Sequence, residues 1–140
     1  MLALCAALTA AHARNLVEEK TIAELQAALA GGEATSEDLV EAYLERIKEL
    51  DRAGPTLRSV LSLNPKARED ARARDVERRA GKARGPLHGI PILIKDNIET
   101  ADPIATTAGS LALEDNVTRR DAPFIARLRA AGAVILGKAN

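Results

Sequence analysis

The sequence predicts an α/β sheet protein, and three observations support this. Amphipathic helical segments alternate with short apolar runs typical of buried strands. Gly and Pro residues separate most of these segments, so that each has a recognisable end. Hydrophobic residues make up 46% and charged residues 29% of the 140 residues, which is typical of one small globular domain.

Two helices are predicted in the first third of the chain. Thr21 and Glu24 have the spacing of a capping box, and the glycine pair at 31–32 ends the helix that they begin. Thr35 or Ser36 can cap the second helix. The second helix has an apolar stripe formed by Leu39, Val40, Tyr43, Leu44, Ile47 and Leu50.

A strand and a charged helix follow. Residues 53–55 (AGP) end the second helix, and residues 57–63 (LRSVLSL) predict a strand. Asn64 followed by Pro65 predicts the start of a helix that continues to about residue 80. Acids alternate with arginines along this helix, which favours a solvated face over a nucleic-acid surface. The spacing of Asp75 and Arg79 predicts an ion pair within it.

The last third of the chain predicts strand, loop, helix and strand. Residues 90–94 form an apolar run typical of a buried strand, and residues 100–110 are polar and rich in turn formers. Residues 121–123 (DAP) begin a helix, and residues 133–136 predict a second buried strand. The residues expected to face inward from that helix are Phe124, Ile125 and Leu128.

Composition argues against several partners. The chain carries 20 basic and 20 acidic residues, so its formal net charge is zero and it has no overall attraction to nucleic acid or anionic membrane. Tyr43 and Phe124 are its only aromatic residues, which leaves almost nothing for base stacking. Cys5 is the only cysteine, so neither a disulfide nor a cysteine-based metal site is expected.

Residues 1–13 (MLALCAALTAAHA) differ from the rest and predict a signal-peptide-like segment. They are almost free of charge and end in the small-x-small pattern at 11–13, although no Lys or Arg precedes the apolar run. The run is too short to span a bilayer. We therefore expect a periplasmic or secreted protein without a membrane span, the alternative being a cytoplasmic one. Cleavage would remove Cys5 and leave His88 as the only histidine, which argues against zinc.

Lys95 is the strongest candidate for chemistry. It ends the apolar run at 90–94, and an ammonium is costly to carry into an apolar interior. The amine can reach water, be held by a partner such as Asp96, or become a base through burial. Composition alone favours a strand-end lysine paired with Asp96.

Three further motifs have a structural and a functional interpretation. His88 could be a general base, but no carboxylate stands at a defined spacing to orient it, so a structural histidine is favoured. Asp96 and Asn97 could bind a ligand or cap the turn after the strand. The segment from Gly132 to Lys138 nearly matches a phosphate-binding loop, but its four central residues favour a strand and the hydroxyl needed for magnesium is missing.

Three segments together resemble the amidase signature family of serine hydrolases, which cleave carboxamide bonds. They are GPLHGIPILIKDNIE at 85–99, TTAGSLAL at 106–113 and DAPFIARLRAAGAVILGKAN at 121–140. The resemblance is weaker before residue 85, where LDRAGPTLRSVLSLNP is most similar to the exported bacterial branch that includes peptide amidases. It implies the N-terminal part of the amidase-signature fold, an incomplete mixed sheet flanked by helices, at 14–140.

The resemblance also implies a mechanism and a site. The family uses a lysine, a bridging serine and a nucleophilic serine, and its lysine maps onto Lys95. Neutral Lys95 would take a proton from the nucleophile through the bridging serine, and an acyl-enzyme would form and then be hydrolysed. No cofactor or metal is implied. The expected substrate is a small-molecule or peptide amide whose C–N bond is not an interior peptide bond.

Both family serines lie downstream of the GKAN string, and this sequence ends at Asn140. The chain's own serines lie in other contexts, and Ser110 matches a family segment that does not carry the nucleophile. We therefore expect the leading part of a larger enzyme, inactive by itself. Two alternatives stay open: the glutamine-hydrolysing component of a tRNA-dependent amidotransferase, and a non-catalytic binding or interaction fragment. The sequence does not predict the oligomeric state.

Overall fold

The fold is organised around a three-stranded mixed sheet in which the last strand is central. The computed structural model describes residues 16–140, so the signal-peptide-like segment at 1–13 and its Cys5 lie outside the described residues. The strands are β1 (Val60–Leu63), β2 (Pro91–Lys95) and β3 (Val134–Ala139), in the spatial order β1-β3-β2. β3 pairs antiparallel with β1 and parallel with β2. The expected α/β architecture with a mixed sheet is confirmed.

Between residues 22 and 130, four α-helices surround this sheet. They are α1 (Ile22–Gly31), α2 (Ser36–Arg46), α3 (Ala67–Arg79) and α4 (Pro123–Ala130). Thr21 caps α1 and Thr35 caps α2, each through a reciprocal capping box with the acid three residues later. These local bonds satisfy backbone N–H groups that a helix start leaves free, which is why the sequence pattern predicts both starts correctly.

The helices cover both faces of the sheet with aliphatic side chains. On one face, Val134 and Leu136 of β3 pack against Val40 of α2 and the small residues of α3. On the other face, Ile135 packs with Ile94 of β2 and Ile125 of α4. A third cluster joins α1 and α2 to the start of β2. The sheet is therefore the middle layer between α2–α3 and α4.

Two details differ from the expected elements. The second helix continues as a π-helical turn, Ile47–Arg52, whose Asp51 carboxylate accepts hydrogen bonds from the N–H of Ser59 and Val60. α3 begins at Ala67 rather than at the proline. Asn64 is not the N-cap of α3. Its side chain accepts a hydrogen bond from the N–H of Lys66, and Lys66 is itself the N-cap residue.

The helix α4 is less buried than predicted. Ile125 is fully buried and Leu128 partly buried, but Phe124 is 49% exposed, so the expectation that it faces inward is wrong. The reason is the orientation of α4: Ile125 lies at the centre of the face that meets the sheet, and Phe124 is about 100° away from it around the helix.

Candidate active site

Lys95 is the last residue of β2 and lies at an exposed position. Neighbouring side chains of a strand point to opposite faces. Ile94 points towards α4 and is buried with Ile125, so Lys95 points to the other face. Of the three environments that the sequence leaves open for this amine, the described residues show the one in which it reaches water. Leu93, two residues earlier, is also 39% exposed, so the expected buried strand is only partly buried.

Asp96 does not form the ion pair with Lys95 that composition favours. Its carboxylate is buried, and Oδ2 accepts hydrogen bonds from the Thr107 N–H at 3.1 Å and hydroxyl at 2.5 Å. Its own N–H donates to the carbonyl of Ala139 at 2.8 Å. The Asp96 carboxylate thus binds the loop at Thr107 rather than the backbone of the turn after the strand, and Asn97 is exposed. Among residues 16–140, Lys95 forms no ion pair and no side-chain hydrogen bond, so its amine is available for another group.

The buried lysine of this region is Lys138, which the sequence motifs did not single out as a site residue. Lys138 lies on the central strand, is fully buried, and donates to the Thr106 hydroxyl at 2.5 Å. Burial lowers the pKa of its ammonium, and the carboxylates of Asp96, Asp102 and Glu99 oppose that change. The strand register explains its burial, because Lys138 stands beside Ile94 on the face that α4 covers; no sequence signal shows this register.

His88 is a structural histidine, as the sequence favoured. The ring is fully buried, and Nε2 lies 2.9 Å from the carbonyl of Arg74. Its Nδ1 lies 3.8 Å from a carboxylate oxygen of Glu77, too far for the hydrogen bond that orients a catalytic base. A Cβ at Gly132 would lie 2.5 Å from Nδ1, so the ring is packed tightly against the backbone.

The serines of the described part have structural partners or no assigned role in the site. Ser36 donates to the carbonyl of Gly89 at 2.6 Å, and Ser59 donates to Asp51 at 2.7 Å. Ser110 is exposed and precedes a short 3₁₀ turn, Leu111–Leu113. These contacts give no reason to assign the nucleophile to any of them.

Other site types receive no support in the described part of the chain. No group of three or more His, Cys, Asp or Glu side chains is arranged to hold a metal ion there. No helix between residues 16 and 140 combines the length and the apolar character needed to cross a bilayer. A cavity of about 320 Å³ lies between the π-helical turn and β1, but Lys95 does not line it. Its walls are mainly apolar and include Tyr43, Ile47, Leu57, Val60, Leu93 and Leu136.

The arrangement defines an α/β protein whose candidate site is the carboxyl end of two parallel strands. Ligands of open α/β sheets bind outside the carboxyl ends of strands. At this edge β2 ends in Lys95 and β3 ends in its register partner, Ala139.

Comparison with known proteins agrees with the sequence resemblance. A family model described as Amidase matches residues 38–140, and the chain belongs to this family of amidase-signature proteins. It is 56% identical to the peptide amidase of Stenotrophomonas maltophilia, with a TM-score of 0.85 over 88% of this chain and 25% of that chain. It is 44% identical to an amidase-family protein of Schizosaccharomyces pombe, over 89% of this chain and 21% of that protein.

The comparisons also include the alternative family branch. A glutamyl-tRNA(Gln) amidotransferase component from Halorhodospira halophila is 45% identical over 125 residues, which cover 89% of this chain and 25% of that protein. The chain therefore spans about a quarter of the length of the relatives that it matches.

Proposed function

We propose that these residues are the lysine-bearing part of an amidase that hydrolyses carboxamide C–N bonds, with Lys95 as the proton acceptor. The observation that supports this most is the amine itself: it stands at the carboxyl end of a parallel strand, exposed and without a partner among the described residues. An ion pair would occupy the amine, whereas an unpaired amine can form a hydrogen bond with a serine hydroxyl brought next to it.

The position of the last strand supports the same proposal. Asn140 follows Ala139, which stands beside Lys95 in the register of the two parallel strands. The family resemblance places the bridging and nucleophilic serines downstream of Asn140, so a continuing chain would leave the sheet at the edge where Lys95 lies. If β3 ran antiparallel to β2, Asn140 would lie at the opposite end of β2 from Lys95.

The proposed reaction balances as a two-step acyl transfer. Deprotonated Lys95 accepts a proton from the nucleophilic serine through the bridging serine, and the serine oxygen forms a bond to the amide carbonyl carbon. The C–N bond breaks as the proton returns to the departing amine, which leaves an acyl-enzyme. Water then hydrolyses the ester and releases the carboxylic acid. Because none of the chain's own serines is assigned as nucleophile, these 140 residues alone are expected to form no acyl-enzyme.

The proposal is tested in a chimera. Residues 16–140 replace the matching segment of the Stenotrophomonas maltophilia peptide amidase, which supplies the remaining three quarters of the chain. The chimera is expected to release ammonia from a C-terminal peptide amide. Lys95→Met should lower kcat by about 10³-fold, within the range for loss of a general base. Lys82→Met is the matched control, because Lys82 is an exposed lysine in the loop after α3. Full turnover by the Lys95→Met chimera would overturn the assignment.

The glutamine-hydrolysing component of a tRNA-dependent amidotransferase is the second candidate. A member of that branch is 45% identical to this chain, which is close to the 44% of the Schizosaccharomyces pombe protein but below the 56% of the Stenotrophomonas maltophilia peptide amidase. A second chimera, in which residues 16–140 replace the matching segment of the Halorhodospira halophila component, is compared with the first. Glutamine hydrolysis by the second chimera without peptide-amide hydrolysis by the first would favour the amidotransferase branch. Export is a separate proposal: recovery of a periplasmic protein whose N-terminus follows residue 13 would support it, and an intact cytoplasmic N-terminus would contradict it.

A further inference from the structure

Lys138 is a fully buried ammonium whose burial needs an explanation. The only hydrogen-bond acceptor recorded for Nζ within residues 16–140 is the hydroxyl of Thr106. Moving an ammonium out of water is costly, and buried cations are normally compensated by hydrogen bonds and an opposite charge. The proposed amide hydrolysis does not use this amine directly, since strand alternation places it on the face of the sheet opposite to Lys95.

A series of hydrogen bonds connects Lys138, through the loop at Thr106 and Thr107, to the turn that carries Lys95. Thr107, the next residue, donates its N–H and its hydroxyl to the Asp96 carboxylate. Asp96 directly follows Lys95, and its N–H is bonded to the carbonyl of Ala139. The carbonyl of Lys95 itself accepts the N–H of Ile98 at 3.0 Å. The loop at 106–107 and the turn at 95–98 are therefore fixed to each other and to β3.

The charges around Lys138 support the same connection between this residue and the turn that carries Lys95. The negative charges of three carboxylates, those of Asp96, Asp102 and Glu99, oppose the lowering of the Lys138 pKa by burial. Glu99 is paired with Arg120, and Asp102 is paired with Arg129. Asp96 has no arginine partner among the described residues, and its carboxylate accepts hydrogen bonds there only from Thr107. The Lys138 ammonium is thus attracted by the carboxylate beside the candidate catalytic lysine, although the two form no direct ion pair.

We infer that Lys138 is a positioning residue: its buried ammonium fixes the loop at Thr106 and so holds the turn that carries Lys95. The role of Lys138 in catalysis rests on the proposed function, but its effect on the turn at 95–98 can be measured without catalysis. It predicts that removing the ammonium, or its hydroxyl acceptor, loosens the turn at 95–98 while leaving the helices on the other face of the sheet unchanged.

Amide hydrogen exchange on the full 140-residue chain tests the link. In Lys138→Met, the amides of Asp96, Ile98 and Thr107 are expected to exchange at least tenfold faster, and the amides of α2 less than threefold faster. Thr106→Val should give the same pattern, whereas Thr106→Ser keeps the acceptor and should restore slow exchange. Ile125→Val is the packing control, because it removes one methyl group from the same face without touching the ammonium.

Two exchange results would overturn the inference. Equal acceleration in the turn and in α2 would show that Lys138 only contributes to global stability. Unchanged exchange at all three reporter amides would show that its ammonium does not hold the turn.

The effect of these substitutions on catalysis is measured separately in the chimera. There, Lys138→Met and Thr106→Val should lower kcat at least tenfold with KM unchanged, and Thr106→Ser should restore kcat. An unchanged kcat would overturn the positioning role. This result is distinguishable from failure of the proposed function, which is tested by Lys95→Met alone and makes no use of the exchange data.

Discussion

Replacing Asp75 with alanine should lower the stability of the folded chain strongly. Its buried carboxylate comes from α3 and accepts the N–H groups of Ser36 at 2.7 Å and Glu37 at 3.1 Å, in the first turn of α2. Those two N–H groups have no partner within the helix, and the carboxylate also interacts favourably with the positive end of the helix dipole. One side chain thus joins the two helices that cover one face of the sheet.

The magnitude follows from the two bonds. A hydrogen bond to a charged group contributes about 1.5–3 kcal/mol, and the two bonds of one carboxylate are not fully additive. Because Ser36 is completely buried, water cannot replace its lost acceptor. We therefore expect Asp75→Ala to lower the free energy of unfolding by about 3 kcal/mol, and Asp75→Asn, which keeps one acceptor oxygen, by about 1 kcal/mol.

Urea unfolding followed by circular dichroism measures both variants. With a slope of about 1.5 kcal/mol per M, the midpoint should fall by about 2 M for Asp75→Ala and by about 0.7 M for Asp75→Asn. Glu69→Ala is the matched control, because Glu69 is an exposed acid on the same helix. A midpoint for Asp75→Ala within about 0.3 M of that control (a threshold of about 0.5 kcal/mol, typical of surface substitutions) would refute this account of the helix pair.

Three other substitutions have definite expected outcomes. In Gly137→Ala the new Cβ would lie 2.3 Å from the backbone oxygen of Ser62, so β1 must move, and the free energy of unfolding should fall by at least about 2 kcal/mol in urea titrations. Arg129→Met leaves the buried Asp102 carboxylate without its cation, and a loss of about 3–5 kcal/mol is expected by the same assay. Because burial lowers the pKa of Lys138 in the folded state, the unfolded chain binds more protons between the folded and unfolded pKa values. Stability should therefore rise with pH through that alkaline window, and Lys138→Met should lack this rise when unfolding is measured from about pH 7 to about pH 10.5.

Local sequence signals predicted the elements whose causes are local. The capping boxes of Thr21 and Thr35 satisfy backbone groups within three residues, and the structure contains both. The apolar runs at 90–94 and 133–136 correctly predicted β2 and β3, although each strand extends beyond its run. A hydrophobic pattern indicates that a segment is a strand, but strand ends depend on the neighbouring strand.

Long-range contacts explain the main failures. The spacing of Asp75 and Arg79 predicts a pair within one helix, but the Asp75 carboxylate instead binds α2, 38 and 39 residues away. Lys138 follows an apolar run just as Lys95 does, and sequence alone does not distinguish their environments. The distinction arises from the sheet order, which puts Lys138 on the central strand beneath α4 and Lys95 at the end of an outer strand.

The central claim is that the Lys95 amine accepts the proton of the nucleophile as the acyl-enzyme forms, and the acylation rate constant measures this step directly. In the chimera with the Stenotrophomonas maltophilia enzyme, rapid mixing with a chromogenic amide would report the first turnover. The account predicts that Lys95→Met slows acylation by about 10³-fold while Lys82→Met leaves it unchanged. Equal acylation rates in the Lys95→Met and Lys82→Met chimeras would contradict it.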